Sequence, residues 1–252
     1  MSESRQLVSE WRSERYEPDD QHAPCNYCNS MRFIIASDGA RKPCPVCHVA
    51  QGWKTQRTDA YSSNAGKSKA QTFDTFKVDT PALKTLRNIV FDYATNPHGW
   101  LVIHGAPGNG KTHLCAAAHN ELAARGVDCI FVSMPDLIAS LKSLFDESTS
   151  LLEHQTYSQR LRIYQAVEVL VIDDLGAERQ TDWTNGVLFE LLDYRYRNQL
   201  ATLISTNQDP NDKLVFDARL ISRWHDSAFS TVIRNTAADY RMRRSAAKDK
   251  AA

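Results

Sequence analysis

The chain has 252 residues, 42% of them hydrophobic, enough for one mid-sized domain plus a small appendage. Its 30 basic and 30 acidic side chains cancel, which excludes attraction of the whole molecule to nucleic acid or membrane, so any such binding has to be local. The charged first twenty residues hold no apolar signal core and no run approaches membrane-spanning length, so a cytoplasmic protein is expected, with its six cysteines as thiols or metal ligands.

Residues 1–20 read as a solvated tail in which Leu7, Val8 and Trp11 allow one short amphipathic turn before Pro18. Residues 21–54 carry Cys25, Cys28, Cys44 and Cys47 in the spacing C-x₂-C-x₁₅-C-x₂-C, which suits two thiolate knuckles closing on one Zn²⁺. His48 is the alternative to Cys47 as the fourth ligand. Between the pairs, Arg32–Ile35 reads as a strand and Ser37-Asp38-Gly39 as a hairpin turn. A segment this small lacks apolar residues for its own core, so the metal would be structural and would supply much of the folding free energy. Residues 55–71 contain almost no apolar groups and read as a flexible linker.

From Thr72 the pattern turns globular, and residues 72–235 read as one domain. Phe73 and Phe76 are spaced to pin a lead-in segment, and Pro81 opens a helix carrying Leu83, Leu86, Ile89, Val90 and Tyr93 on one face. Leu101–His104 suits a buried strand. It runs into Gly105-Ala106-Pro107-Gly108-Asn109-Gly110-Lys111-Thr112, with His113 adjoining, and the run matches G-x-x-x-x-G-K-T. Glycines let the backbone wrap an anion with its N–H groups, and the helix marked by Leu114, Cys115, Ala118 and Leu122 adds a favourable dipole. Lys111 is expected to reach the β- and γ-phosphates of ATP, and Thr112 to bind Mg²⁺.

Cys129–Ser133 reads as the next buried strand, with Cys115 and Cys129 as small core residues. A helical stretch over 135–166 follows, broken near Ser148-Thr149-Ser150. Residues 169–175 form a strand delivering Asp173 toward Mg²⁺ and Asp174 toward the attacking water, with Glu178 expected in solvent. Residues 183–198 make an amphipathic helix with Val187, Leu188, Leu191, Leu192 and Tyr194 mostly on one side. The strand 201–207 ends in Asn207, placed either to bind the water or γ-phosphate or simply to turn the chain before Asp209-Pro210. Short helices at Lys213–Phe216 and around Arg219 to Arg223, a strand at Phe229–Ile233 and a basic tail at 236–252 complete the chain. Five strands alternating with helices argue for an α/β fold, a mostly parallel sheet covered on both faces, with the ligand at the carboxyl ends of its strands.

T-F-D-T-F at 72–76, the phosphate-loop run at 99–114, V-L-V-I-D-D-L-G at 169–176, I-S-T-N at 204–207, A-R-L-I-S-R-W at 218–224 and A-D-Y-R at 238–241 occur together. In combination they resemble the AAA+ ATPases of the DnaC/DnaI replicative helicase loader group and the related IstB transposition helpers. The resemblance implies an AAA+ core without a helical lid and Asn207 at the sensor position. It also implies Arg223, with Arg219 as the nearest rival, as an arginine finger that acts through self-association. The stretch 135–166 falls where initiator-type members carry an element associated with single-stranded DNA; Lys142, Arg160 and Arg162 are contact candidates there, although each also reads as a solvated helix charge. Asp174 stands where the family usually has Glu, so hydrolysis is expected to be slow and partner-stimulated; Trp224 stands where Leu is expected, which bears on the register of the arginine finger.

A cysteine module on a linker resembles loaders of the DnaI kind, whose N-terminal domain docks on the helicase. The expectation is an ATP-switched replicative helicase loader using ATP, Mg²⁺ and Zn²⁺ and binding helicase and single-stranded DNA. The alternatives are an IstB-like transposition helper and a zinc-containing nucleic-acid-binding adaptor with a weak ATP site.

Overall fold

The computed structural model describes residues 33–35, 41–43, 61–62, 68–145 and 156–240. The chain divides into two compact units, Met1–His48 and Val49–Ala252. In the first, β1 (Phe33–Ile35) pairs antiparallel with β2 (Arg41–Pro43), Phe33 opposite Pro43 and Ile35 opposite Arg41. The pairing agrees with a strand at 32–35 that turns back on itself. Cys25, Cys28, Cys44, Cys47 and His48 lie outside the described residues, as do the tails at 1–20 and 241–252.

In the second unit, α1 (Pro81–Thr95) starts where the Thr80 side chain accepts the Leu83 amide at 3.3 Å, with Pro81 in the first turn where no donor is needed. Five parallel strands follow: β3 (Trp100–His104), β4 (Cys129–Ser133), β5 (Val169–Leu175), β6 (Ala201–Thr206) and β7 (Ser230–Arg234). Their spatial order is β4-β5-β6-β3-β7, which seats β3 between two strands that come much later in the chain. The connecting helices are α2 (Lys111–Ala124), α3 (Met134–Lys142), α4 (Tyr157–Ala166), α5 (Asp182–Arg197) and α6 (Ala218–Trp224).

Strand side chains alternate between faces, so adjacent apolar residues feed two different cores. Leu101, Ile103, Phe131, Val169, Val171 and Leu203 pack with α1 and α2. Val102, Ile130, Val132, Leu170, Ile172 and Ile204 pack with α3, α4, α5 and α6 on the opposite face. This two-sided burial is why the strands read as unbroken apolar runs rather than as alternating ones. Each such side chain contributes roughly 1.5–3 kcal/mol on leaving water, so the sheet is a stiff platform for whatever sits on its edge.

Three local expectations change. On α5 the buried residue at the end of the stripe is Arg195, fully buried, whereas Tyr194 is half-exposed. Lys213–Phe216 is a single turn rather than a helix: Val215 and Phe216 both donate to the Asp212 carbonyl, Leu214 is exposed, Phe216 is buried and Val215 packs against the same core. Within the stretch expected as a flexible linker, Ser62 is buried and its hydroxyl accepts the Phe131 amide at 3.0 Å. There too, Tyr61 meets Tyr164 edge-on and Asn120 donates to the Ser68 and Gln71 carbonyls, both at 2.9 Å. Of these, Ser62 bonds through its side chain, whereas Ser68 and Gln71 offer backbone carbonyls.

Candidate nucleotide site

The loop Gly105–Gly110 leaves the carboxyl end of β3 and enters α2. Gly105 has φ 144° and Gly108 φ 74°, and a Cβ on either would collide, with the Asn235 carbonyl oxygen and the Asp239 carboxylate respectively. Gly110 caps α2 without a side-chain hydrogen bond, so the first-turn amides have no side-chain partner there, as suits an anion site. Lys111, only 4% exposed, donates from Nζ to the carbonyls of Gly105 and Ala106, each at 2.8 Å, and to Asn109 Oδ1 at 3.1 Å. Burial pulls its pKa down while Asp174 and Asp173 pull it back up.

Asp173 and Asp174 sit where the β5–β6 register shifts between Ile172 and Leu175. Such an irregularity re-aims side chains, and Asp174 takes φ 53°, a left-handed conformation that Asp tolerates better than most residues. Asp173 Oδ1 accepts from the Thr112 hydroxyl at 3.2 Å and from the Ser205 hydroxyl. Burial raises the Asp173 pKa, and the Ser205 bond is the largest influence opposing it. Ser205 Oγ also accepts the Asp174 amide at 3.2 Å, and Asn207 Nδ2 donates to Asp174 Oδ1 at 3.2 Å. Lys111, Thr112, Asp173, Asp174 and Asn207 are thus assembled at the carboxyl ends of β3, β5 and β6.

Thr112 and Asp173 present hard oxygens side by side, a donor set that fits Mg²⁺, which prefers one or two carboxylates together with water and phosphate oxygens. Among the described residues no group of three His, Cys, Asp or Glu gathers as a metal cage.

The remaining expected residues are placed differently. His113 contacts the Thr72 carbonyl at 2.9 Å and Thr75 Oγ1 at 3.3 Å, and meets the Phe76 ring edge-on, so it fastens the lead-in segment to α2. Glu178, expected in solvent, is half-buried and folds back to accept the Gly176 amide at 2.9 Å; burial raises its pKa. Arg223 donates to Asp193 of α5 and lies against the Phe189 and Tyr196 rings, 5.0 and 5.2 Å from their centroids. Arg219 sits 3.8 Å from the Phe189 centroid and pairs with Asp217. Lys142, Arg160 and Arg162, which also read as solvated charges, lie over Trp183, Tyr61 and Tyr194 at 5.2, 5.2 and 4.4 Å. Beside Lys142, Phe145 is 61% exposed, stacks on Tyr157 and meets Trp183 edge-on.

Sequence reading missed Ser205 and Asn235. The signal for Ser205 was a small hydroxyl beside the tip of an otherwise apolar strand. Asn235 gave none, since its partner Asn109 is 126 positions away.

A family model described as IstB-like ATP binding protein matches residues 57–229. The replicative helicase loader DnaI of Bacillus subtilis is 25% identical over 230 residues, covering 82% of this chain and 72% of that protein. The replicative helicase loader DnaC of Escherichia coli K12 is 28% identical over 175 residues, covering 68% of this chain and 69% of that protein. A crystal structure of DnaI superposes with a TM-score of 0.54 and 26% identity, covering 65% of this chain and 89% of that one. The replication initiator DnaA bound to AMPPCP and single-stranded DNA shares the fold at a TM-score of 0.58 and 21% identity, over 72% of this chain and 55% of that one. With over half of its length matched by one family model, and an assembled phosphate loop within the match, this chain belongs to the IstB-like ATP binding protein family.

Proposed function

We propose that this chain is an ATP-switched loader of a replicative DNA helicase, with residues 72–235 as its ATPase domain. The observation that carries the reading is the meeting of Lys111, the Thr112–Asp173 pair and the Asp174–Asn207 pair at one sheet edge, in a relative of DnaI and DnaC. Lys111 exchanges its loop carbonyls for phosphate oxygens. Thr112 and Asp173 would hold Mg²⁺, which would supply neutralisation of phosphate charge. Asp174, shorter than the family's usual Glu and steadied by Asn207, orients water from a longer reach, so turnover is slow.

By their spacing Cys25, Cys28, Cys44 and Cys47 would bind Zn²⁺, and residues 21–54 would then serve as the docking segment for the helicase. In an assembly, Arg223 leaves Asp193 to stabilise charge on a neighbouring subunit's γ-phosphate. Phe145, Tyr157 and Trp183, with Lys142 alongside, supply a stacking surface for single-stranded DNA. Bound nucleotide orders the subunit interface and the grip on DNA, and hydrolysis releases them.

The test is ATP hydrolysis, with and without single-stranded DNA, for the wild type, Arg223→Ala, Lys111→Ala and their mixture. Each variant is expected to be inactive alone, and the mixture to recover activity because one intact site forms between unlike subunits. A mixture as inactive as its parts removes the intersubunit finger. A wild type that binds ATP and never hydrolyses it favours the nucleotide-gated adaptor. The family match keeps a transposition helper as second reading; retention of a transposase and not a replicative helicase would select it.

A further inference from the structure

The segment that follows β7 builds the outer wall of the phosphate loop, and Asn235 spends every polar group it has in doing so. Its amide donates to the His104 carbonyl at 2.7 Å, and its Oδ1 accepts the Ala237 amide at 3.1 Å. Its Nδ2 donates to the Asn109 carbonyl at 2.9 Å, while its own carbonyl accepts Asn109 Nδ2 at 3.1 Å. Each side-chain amide thus donates to the other residue's backbone carbonyl, and both residues are almost fully buried, at 5% and 3% exposure. With its Nδ2 committed to Asn235, the Asn109 amide can only turn Oδ1 the other way, toward Lys111 Nζ at 3.1 Å. The same Asn235 carbonyl lies over Gly105, and the Tyr240 amide donates to the Gly108 carbonyl at 2.9 Å. Two of the six residues in Gly105–Gly110, Gly108 and Asn109, are therefore hydrogen-bonded from one stretch of chain, and Gly105 is closely approached by it.

The geometry points to Asn235 as a positioning residue for nucleotide binding, acting on Lys111 through Asn109. The inference rests on the nucleotide reading of the loop and deepens it. A buried amide pair has one satisfied orientation, so it keeps the loop in the shape that presents its N–H groups and Lys111 together, and binding spends less free energy on ordering the loop.

Asn235→Asp separates this role from a merely structural one. The carboxylate is near-isosteric and keeps an acceptor for the Ala237 amide, but it loses the donor to the Asn109 backbone carbonyl and sets a buried charge against that oxygen. The full chain is titrated with a fluorescent, slowly hydrolysed ATP analogue and Mg²⁺, and melting is followed without nucleotide. Asn235→Asp is expected to weaken analogue binding tenfold or more in protein that still melts cooperatively. In an Asn109→Ala background the same change is expected to cost less than threefold, because the relay is already cut. Equal binding by wild type and Asn235→Asp overturns the inference. So does an undiminished tenfold loss in the Asn109→Ala background, which would mark a charge effect on the phosphates. If Asn235→Asp does not fold, Asn109→Ala alone decides, and wild-type affinity for that variant overturns the relay. A wild type that fails to bind the analogue brings down the nucleotide reading itself, a result separate from the others.

Discussion

Lys111 and Arg195 are both buried cations, and they stand at opposite ends of the sheet. Lys111, at the carboxyl ends, is held by two loop carbonyls and one side-chain amide, with two carboxylates near enough to influence its charge. Arg195, at the amino ends, donates to the carbonyls of Tyr164, Gln165, Val167 and Ala201 and to the Thr202 hydroxyl. Burial lowers its pKa, to about 9, which leaves it charged at neutral pH. Its carbonyl partners close the end of α4 and the starts of β5 and β6, where the negative end of a helix dipole welcomes a cation. The partners of Arg195 belong to rigid elements, and no ligand could replace them without unfolding the region. The partners of Lys111 belong to a loop, and phosphate oxygens can take their place. Burial of a charge is common to both; exchangeability of its partners separates a structural cation from a ligand-reading one.

The largest expected effect is therefore at Arg195. Arg195→Leu leaves several buried carbonyls without donors and should destabilise the domain by about 3–5 kcal/mol, read as a lower denaturation midpoint. Nucleotide affinity per folded molecule should hold, and a stable Arg195→Leu would break the contrast. Lys111→Ala should do the reverse. Melting without nucleotide should shift by about 1 kcal/mol or less, since the loop carbonyls can turn to water, while ATP turnover falls at least a hundredfold. A Lys111→Ala variant as unstable as Arg195→Leu would make Lys111 structural as well.

The smallest effect sharpens the picture at Asp173. The Ser205 hydroxyl favours its ionised form against burial. Ser205→Ala should raise the Asp173 pKa further and lower turnover roughly tenfold, about 1.4 kcal/mol. Its sign in pH follows from that direction. On the proposed reading Mg²⁺ would need the carboxylate, so activity should fall as pH drops through the raised pKa, and the acid limb of the rate profile should move to higher pH in the variant. Stability runs oppositely, because a carboxyl whose folded pKa is raised is penalised above that pKa and relieved below it. An unmoved acid limb would show that Ser205 does not govern Asp173.

What could be read from the sequence was local. The phosphate loop and the Asp173 strand show in short runs, where glycines, apolar residues and carboxylates stand together, and the parallel sheet shows in the alternation of apolar runs with helical stretches. Arg195 was half-legible: it continues the stripe of Leu188, Leu191 and Leu192 at helical spacing, but an arginine there ordinarily reads as a solvated charge. Glu178 was misplaced for a similar reason, since its partner is a backbone amide that composition does not reveal. Ser205 and Asn235 depend on which strands lie side by side, and parallel order is set by the folded topology rather than by any neighbouring residue.

The position of β3 has a consequence for the birth of the protein. Its partners β6 and β7 begin at Ala201 and Ser230, and its loop is closed by Asn235, so the phosphate loop lacks its last support until some 126 further positions have been synthesised. Contacts this distant in the chain form slowly and late. On an emerging chain Lys111 should be among the last parts of the domain to find its place, and fragments released from the ribosome before Asn235 should fail to retain nucleotide even where their helices have formed.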